Sequence, residues 1–132
     1  MRTAVRAGLL EFNFTFVPAT EFIPLVFAAR DPEGNLVGGL AGEVMPGWKW
    51  LVISLLWVSS SHRHERIGTR LMHQVEDEAR RRGCAYAYTS TFQALGFYEK
   101  LGYVVWGVQE DFPPGQRRFF VSKPLGRGIG QE

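Results

Sequence analysis

The fold of this chain is decided by two stretches, VSSSHRHERIGTRLM at residues 58–72 and ALGFYEKLGY at residues 94–103. The first stretch follows the most apolar run of the sequence, residues 50–58, and leads into a long amphipathic helix predicted over residues 67–82. A helix N-terminus exposes backbone N–H groups and partial positive charge, so one placed after a central strand binds anions readily. The second stretch predicts a short helix that carries a phenol, Tyr98.

The bulk composition bounds the class of protein. A chain of 132 residues with 45% hydrophobic and 14% aromatic residues can build one domain with a real core. A net charge of +2 with 21% charged residues is too balanced for non-specific nucleic-acid binding. The single cysteine, Cys84, excludes an internal disulfide and a multi-cysteine zinc site, and no metal is expected. We expect one domain over residues 1–125 and a flexible tail over residues 126–132.

The sequence also carries no sign of a membrane or nucleic-acid partner. No apolar run approaches the length of a transmembrane helix, and Glu11 and Asn13 interrupt the apolar stretch that a signal peptide would need. The arginine run at residues 80–82 is interpreted as a solvated helix end rather than a nucleic-acid patch. We therefore expect a cytoplasmic protein.

Hydrophobic periodicity predicts the remaining elements. A short amphipathic helix is predicted over residues 3–16 and is stopped by Pro18. The run at residues 50–58 has almost no polar side chain, which predicts a central strand buried on both faces. Further strands are predicted over residues 25–30, 36–44, 85–89, 103–108 and 118–123, and a third helix over residues 93–101.

The ordered set of apolar strand, basic turn, long helix, strand and Ala-x-x-Phe-Tyr helix resembles the GNAT superfamily of N-acetyltransferases. In the superfamily's pyrophosphate motif, Gln/Arg-x-x-Gly-x-Gly/Ala, Arg63 fills the first place and Gly68 the last, whereas Arg66 stands where the middle glycine is expected. The superfamily pattern Asn-x-x-Ala-x-x-Phe-Tyr-x-x-x-Gly-Phe/Tyr is matched throughout residues 94–103, with Thr91 in place of the asparagine.

This resemblance implies an α/β fold with three α/β/α layers. Its sheet is expected to be mixed and mostly antiparallel, with central strands that splay to admit the cofactor. Superfamily members usually begin with a strand, whereas this sequence begins almost at the first helix, so either that strand is absent or the start is truncated. The sheet would then have one strand fewer and an exposed edge that a homodimer could cover.

The resemblance also implies acetyl-CoA as co-substrate and an amine of a small molecule or a peptide as acceptor. Tyr98 is expected to protonate the departing thiolate as general acid. Main-chain groups of the central strand and the basic turn, together with Thr91, are expected to bind the cofactor. The predicted cofactor-binding residues are Leu56, Trp57, Val58, Arg63, His64, Glu65, Arg66, Ile67, Gly68, Thr69 and Thr91.

The acceptor pocket is harder to locate from the sequence. Ser54 is the only polar side chain of the central strand, and Asp111 and Phe112 precede a Pro-Pro-Gly turn. These three residues are candidates for substrate binding, with the acid attracting an ammonium, although the turn is equally well an ordinary rigid connection. The central strand carries no carboxylate, so Glu43, Glu110 and Asp111 are general-base candidates without a motif behind them.

Two other function classes fit part of the same pattern. A non-catalytic acyl-CoA sensor or interaction module would account for Arg66, Thr91 and the missing strand carboxylate. A nucleotide-binding protein could use the same basic turn, but the sequence lacks a complete Gly-x-Gly-x-x-Gly or Gly-x-x-x-x-Gly-Lys motif.

Overall fold

The computed structural model of the chain describes residues 1–126 and has the α/β architecture expected from the sequence. Apart from Gly126, the predicted tail lies outside the described residues. The helices are α1 (Arg2–Asn13), α2 (Ile67–Arg81) and α3 (Leu95–Lys100), and a 3-10 turn spans Ser60–Glu65. The strands are β1 (Ile23–Arg30), β2 (Leu36–Met45), β3 (Trp50–Val58), β4 (Tyr86–Thr91), β5 (Val104–Glu110) and β6 (Arg117–Pro124).

These six strands form one sheet in the order β1-β2-β3-β4-β6-β5. The pair β3 and β4 is parallel, and the other four pairs are antiparallel. The expectation of a mixed, mostly antiparallel sheet is therefore confirmed. Strand β1 lies at one edge of this sheet, so the edge that a preceding strand would cover is formed by residues 23–30. None of the helices within residues 1–126 combines the length and apolar character that a membrane span requires.

The two central strands separate toward their C-terminal ends, as expected. Strands β3 and β4 pair only as far as Val52 and Tyr88. Immediately beyond that point β3 contains a bulge, with Ser54 as the extra residue relative to β2. Strand β4 continues to Thr91, but there it pairs only with β6. A gap therefore opens between β3 and β4 at the edge where both strands end.

Helix α2 covers one face of the sheet and supplies five of the seventeen buried residues of the core described within residues 1–126. Its predicted inner stripe of Leu71, Met72, Val75 and Ala79 is buried, and the helix contacts β1, β2 and β3. The stripe recurs every three or four residues, which places all four side chains on one side of the helix. By contrast, α1 buries none of its side chains, so the outer layer expected from it contributes nothing to the core.

Strand β3 differs from its prediction. Its first half is buried as expected, whereas Leu55 is 69% exposed and Trp57 50% exposed. The end of the strand lines a cleft through Leu56, Trp57 and Val58, and Leu56 and Val58 also pack against the core. Hydrophobicity alone does not distinguish a strand that packs on both faces from one that borders a binding site.

Candidate functional site

A cleft of about 900 Å³ opens at the gap between the central strands, bounded by the end of β3, the start of α2 and helix α3. Small-molecule sites typically occupy about 300–1,000 Å³, so this cleft can hold a large cofactor. Eight predicted cofactor residues line it: Leu56, Trp57, Val58, Arg63, His64, Arg66, Gly68 and Thr69. The opposite wall is formed by Gln93, Ala94, Gly96, Phe97, Lys100 and Leu101.

Two residues of the predicted turn lie elsewhere. Glu65 and Ile67 line a separate groove of about 390 Å³ beside β1. Ile67 is 8% exposed and belongs to the core, so its side chain is part of the fold. The contribution of these two residues to the cleft is therefore limited to their main chain.

The N-terminus of α2 faces the cleft without a local partner. No described side chain caps this helix end, and its first turn contains no acid. The N–H groups of the first turn and the helix dipole therefore remain available to an anion. Arg63 and Arg66, which also line the cleft, add positive charge at the same place.

The backbone at Arg66 explains why the superfamily motif has a glycine there. Arg66 has φ 61° and ψ 26°, which is the left-handed conformation. A residue with a Cβ pays about 1 kcal/mol or more for this conformation, and glycine does not. Arg66 therefore preserves the shape of the turn at an energetic cost while adding a guanidinium to the cleft.

Two arginines hold the carbonyl oxygens of the turn. Arg70 donates hydrogen bonds to the carbonyls of Glu65 and Arg66, the latter at 3.5 Å from Nε. Arg63 Nε lies 3.4 Å from the carbonyl oxygen of Val58 at the end of β3. These contacts pair cations with the oxygens that would otherwise repel an anion. The sequence indicated Arg70 as part of the basic cluster but not its role in shaping the turn.

Gly68 connects the two stretches that decide the fold. A Cβ at this position would lie 3.3 Å from the ring of Phe97 on α3. The missing side chain thus allows α3 to pack closely against the start of α2. The last position of the motif holds a glycine because α2 and α3, which form the two walls of the cleft, come into contact there.

Tyr98 lies on α3 beside the gap between the strands. It is 6% exposed, and its ring meets Phe97 and Tyr103 edge-on at centroid distances of 5.1 and 5.7 Å. Burial raises the pKa of Tyr98, and a hydrogen bond with the Thr89 hydroxyl lowers it by less. The Thr89 hydroxyl also donates to the Ile53 carbonyl at 2.9 Å, next to the point where β3 and β4 part. The phenol is therefore protonated at neutral pH.

Thr91 has a structural task that the sequence did not indicate. Its hydroxyl accepts a hydrogen bond from the backbone N–H of Ala94 at 3.0 Å, and the residue is 6% exposed. This contact satisfies a donor just before α3, as a capping side chain does. Thr91 is not among the residues that line the cleft, so the structure does not bring it to the cofactor surface.

The predicted acceptor residues are dispersed. Ser54 is exposed at the bulge of β3, beside the gap. Asp111 has φ 55°, and its carboxylate accepts from the N–H of Gly115 at 3.3 Å, so it organises its own turn. Glu110 forms an ion pair with Arg117 at 2.9 Å. None of the residues lining the cleft within residues 1–126 is Asp or Glu.

Sequence reasoning missed a buried carboxylate. The i to i+4 spacing of Glu76 and Arg80 predicts a surface ion pair on the helix, but Glu76 is 1% exposed. It accepts hydrogen bonds from Tyr103 Oη at 2.7 Å and Lys123 Nζ at 2.9 Å, and Arg80 lies 3.7 Å away. Burial and the neighbouring Glu76 raise the pKa of Tyr103. The signal was available, because position 76 follows Met72 by one helical turn and so faces inward.

Comparisons with known proteins agree with this geometry. The sequence model described as "Acetyltransferase (GNAT) family" matches residues 7–103. The chain is 40% identical over 114 residues to the blasticidin-S acetyltransferase of Streptomyces morookaense, covering 82% of each protein. A Bacillus cereus acetyltransferase structure superposes with a TM-score of 0.83 at 29% identity, covering 92% of this chain and 89% of that one. An aminoglycoside 6'-N-acetyltransferase complexed with coenzyme A gives a TM-score of 0.68 at 26% identity, covering 77% and 73%.

Proposed function

The chain belongs to the GNAT family of acetyltransferases, and from that premise we propose that it transfers an acetyl group from acetyl-CoA to the amine of a small molecule. The observation that carries the proposal is the cleft that joins the gap between β3 and β4 to the uncapped N-terminus of α2. Family membership favours an N-acetyltransferase over a non-catalytic sensor. The named activities of the related blasticidin-S and aminoglycoside enzymes favour a small-molecule acceptor over a peptide.

Two parts of the cleft suit two parts of coenzyme A, the pyrophosphate and the pantetheine arm. The first turn of α2 and the guanidinium groups of Arg63 and Arg66 suit a pyrophosphate. Beyond Val52, β3 has no strand partner on its β4 side within residues 1–126, so its main-chain groups are available there. We propose that residues 56–58 pair with the amides of the pantetheine arm, in the manner of an added strand.

The proposed chemistry depends on Tyr98, which is buried beside the gap and is not among the described residues that line the cleft. The acceptor nitrogen attacks the thioester carbonyl, a C–N bond forms, and the C–S bond breaks. The departing thiolate takes the phenol proton of Tyr98, which burial keeps in its acid form at neutral pH. None of the described residues that line the cleft is a carboxylate, and we propose that the acceptor amine gives its proton to water.

The assembly and location are separate proposals. We propose a single domain over residues 1–125 and a homodimer that covers the exposed edge of β1. The cytoplasmic location expected from the sequence stays a prediction.

The first experiment is calorimetric titration of the purified protein with acetyl-CoA, coenzyme A and ATP. We expect both coenzyme A species to bind and ATP to bind more weakly, because the cleft recognises the pantetheine arm as well as the phosphates. A panel of amines is then assayed for thiol release. Failure of both coenzyme A species to bind would refute the cofactor assignment, and binding without acetylation of any amine would favour the sensor.

A further inference from the structure

Arg118 on β6 is held rigidly on the face of the sheet opposite α2. Its Nη1 atom donates to the Ser90 hydroxyl at 3.3 Å. Its guanidinium carbon lies 4.2 Å from the ring centre of Phe112 and 5.6 Å from that of Phe92. A long side chain fixed by two aromatic rings and a hydrogen bond has already lost its rotamer freedom, so a ligand would not have to order it.

The binding edge of this guanidinium is unused. Nε is buried and has no hydrogen-bond partner within residues 1–126, and the only described hydrogen bond of Arg118 is made by Nη1. Buried donors are almost always satisfied, so an unpartnered one indicates a place for an acceptor. The edge formed by Nε and Nη2 is the fork that binds a carboxylate through two parallel hydrogen bonds, and because Nε is buried, neighbouring side chains must move before a ligand reaches it.

The surroundings leave the charge of Arg118 unneutralised. The adjacent Arg117 is paired with Glu110 at 2.9 Å, and Asp111 is engaged by the N–H of Gly115. No salt bridge to Arg118 is formed within the part of the chain that the structure describes. The turn therefore offers a positive site, whereas its sequence suggested that Asp111 would attract an ammonium.

Arg118 and its contacts are not among the described residues that line the reaction cleft, but two of these contacts lie close to it along the chain. Ser90 lies on β4 beyond Tyr88, the last residue that pairs with β3, so it borders the gap between the strands. Phe92 immediately precedes Gln93, which lines the cleft. An acceptor that enters the gap from the face opposite α2 would therefore meet Arg118 and its aromatic neighbours.

We propose that Arg118 binds a carboxylate of the acceptor, so that the preferred substrates are amines that also carry a carboxylate. The rings of Phe92 and Phe112 would contact the apolar part between the two groups. This inference rests on the proposed acetyl transfer, because it names the acceptor class for the same cleft. It assigns Arg118 to substrate specificity and not to proton transfer.

The test uses ω-amino acids of increasing length, from β-alanine to aminohexanoate, together with aminomethylbenzoate. Each is paired with its carboxamide, which keeps the shape and removes the charge. Binding is measured by calorimetry with coenzyme A present, and acetylation by thiol release. We expect at least one carboxylate to bind about tenfold more tightly than its carboxamide, as a charge-assisted hydrogen-bond pair should.

The variants isolate the contribution of Arg118. The Arg118→Gln variant should bind each carboxylate and its carboxamide with equal affinity. The Arg118→Lys variant should keep only part of the preference for the carboxylate, because a lysine cannot form the two parallel hydrogen bonds of the fork. Arg117→Gln is the matched control, since it removes the same charge from the neighbouring, ion-paired position and should keep the preference. Thermal unfolding of each variant confirms that it is folded.

The possible outcomes separate this inference from the proposed function. If no carboxylate is preferred, or if the preference survives in Arg118→Gln, the inference is overturned even when neutral amines are acetylated. If the preference in binding depends on Arg118 but no amine of any kind is acetylated, the carboxylate site stands and the proposed acetyl transfer fails.

Discussion

The two ends of helix α2 differ in how their polar groups are satisfied. At the C-terminal end, the N–H groups of Arg82, Gly83 and Cys84 all bond to carbonyls of the last turn. Three ion pairs along the same end, Arg80–Asp77, Arg81–Glu78 and Arg82–Glu78, span 2.7 to 2.9 Å. At the N-terminal end no described side chain caps the helix, and a left-handed arginine precedes it.

This difference separates what stabilises the fold from what serves a ligand. The C-terminal end satisfies its polar groups within the protein, so it needs nothing else to be stable. The N-terminal end leaves its donors facing a cleft, so an anion can complete it. Substitutions at the two ends should accordingly move different quantities, and variants near the cleft should alter binding or turnover without unfolding the protein.

The largest effect is expected for Tyr98→Phe. Loss of the phenol proton should lower kcat by about 10²–10⁴-fold, the usual contribution of a general acid. The affinity for acetyl-CoA should stay the same, because the ring and its packing are kept. Burial raises the pKa of Tyr98, so the phenol should stay protonated through neutral pH, and a rise of kcat with pH there should follow deprotonation of the acceptor amine. Steady-state kinetics and calorimetry check both points, and a full kcat in the variant would exclude Tyr98 as the acid.

Glu76→Gln tests the buried middle of α2. The amide keeps the shape but leaves Lys123 without its anion, which should lower the free energy of unfolding by about 3 kcal/mol. Glu78→Gln on the same helix removes a more exposed acid and should cost under about 1 kcal/mol. Urea unfolding of both variants measures the difference. Equal losses would mean that Glu76 is no more important to the fold than a surface pair.

Arg63→Ala and Arg82→Ala compare the two ends directly. Removing Arg63 should weaken coenzyme A binding by about tenfold, since one charged contact to phosphate is lost, with little change in stability. Removing Arg82 should leave the affinity unchanged and cost about 0.5 kcal/mol of stability through its pair with Glu78. Calorimetry and thermal unfolding separate the two effects. A weaker affinity in both variants would contradict the division between the ends.

The smallest effect is expected for Arg66→Gly. Glycine relieves the left-handed strain but loosens the unfolded chain, so a net gain in stability of about 0.5 kcal/mol is expected. Lys49→Gly is a matched control, because Lys49 has φ 66° in the turn between β2 and β3. Both variants should gain similar stability. Only Arg66→Gly should weaken coenzyme A binding, because only Arg66 lines the cleft. A change in affinity for Lys49→Gly would show that the effect does not depend on the cleft.

The local sequence pattern predicted the bounds of helix α2 well, but it predicted the burial of individual side chains less well. The helix predicted over residues 67–82 is observed at Ile67–Arg81, because its apolar stripe, arginine-rich end and following glycine all lie within one short segment. The exposure of Leu55 and Trp57 was not predictable, since burial depends on which distant element lies opposite the strand. The inward direction of Glu76 was predictable from its place one turn after Met72, but its partners Tyr103 and Lys123 were not, because they are far along the chain.

The candidate site divides in the same way. Two motifs in the sequence sufficed to predict the basic turn and the tyrosine helix, because both are local arrangements around a helix end. Arg118 could not be recognised, since its role depends on Ser90, Phe92 and Phe112, which come from separate segments.

The sequence by itself determined the basic turn before α2 and the phenol on α3, since each depends on charge or spacing within a single segment, and its resemblance to a known superfamily implied the α/β class. Tertiary structure alone decided that β3 and β4 separate after Val52, that Gly68 meets Phe97, and that Arg118 packs against Ser90 and Phe112. Contacts between distant segments depend on register and packing across the sheet. A one-dimensional pattern does not specify these.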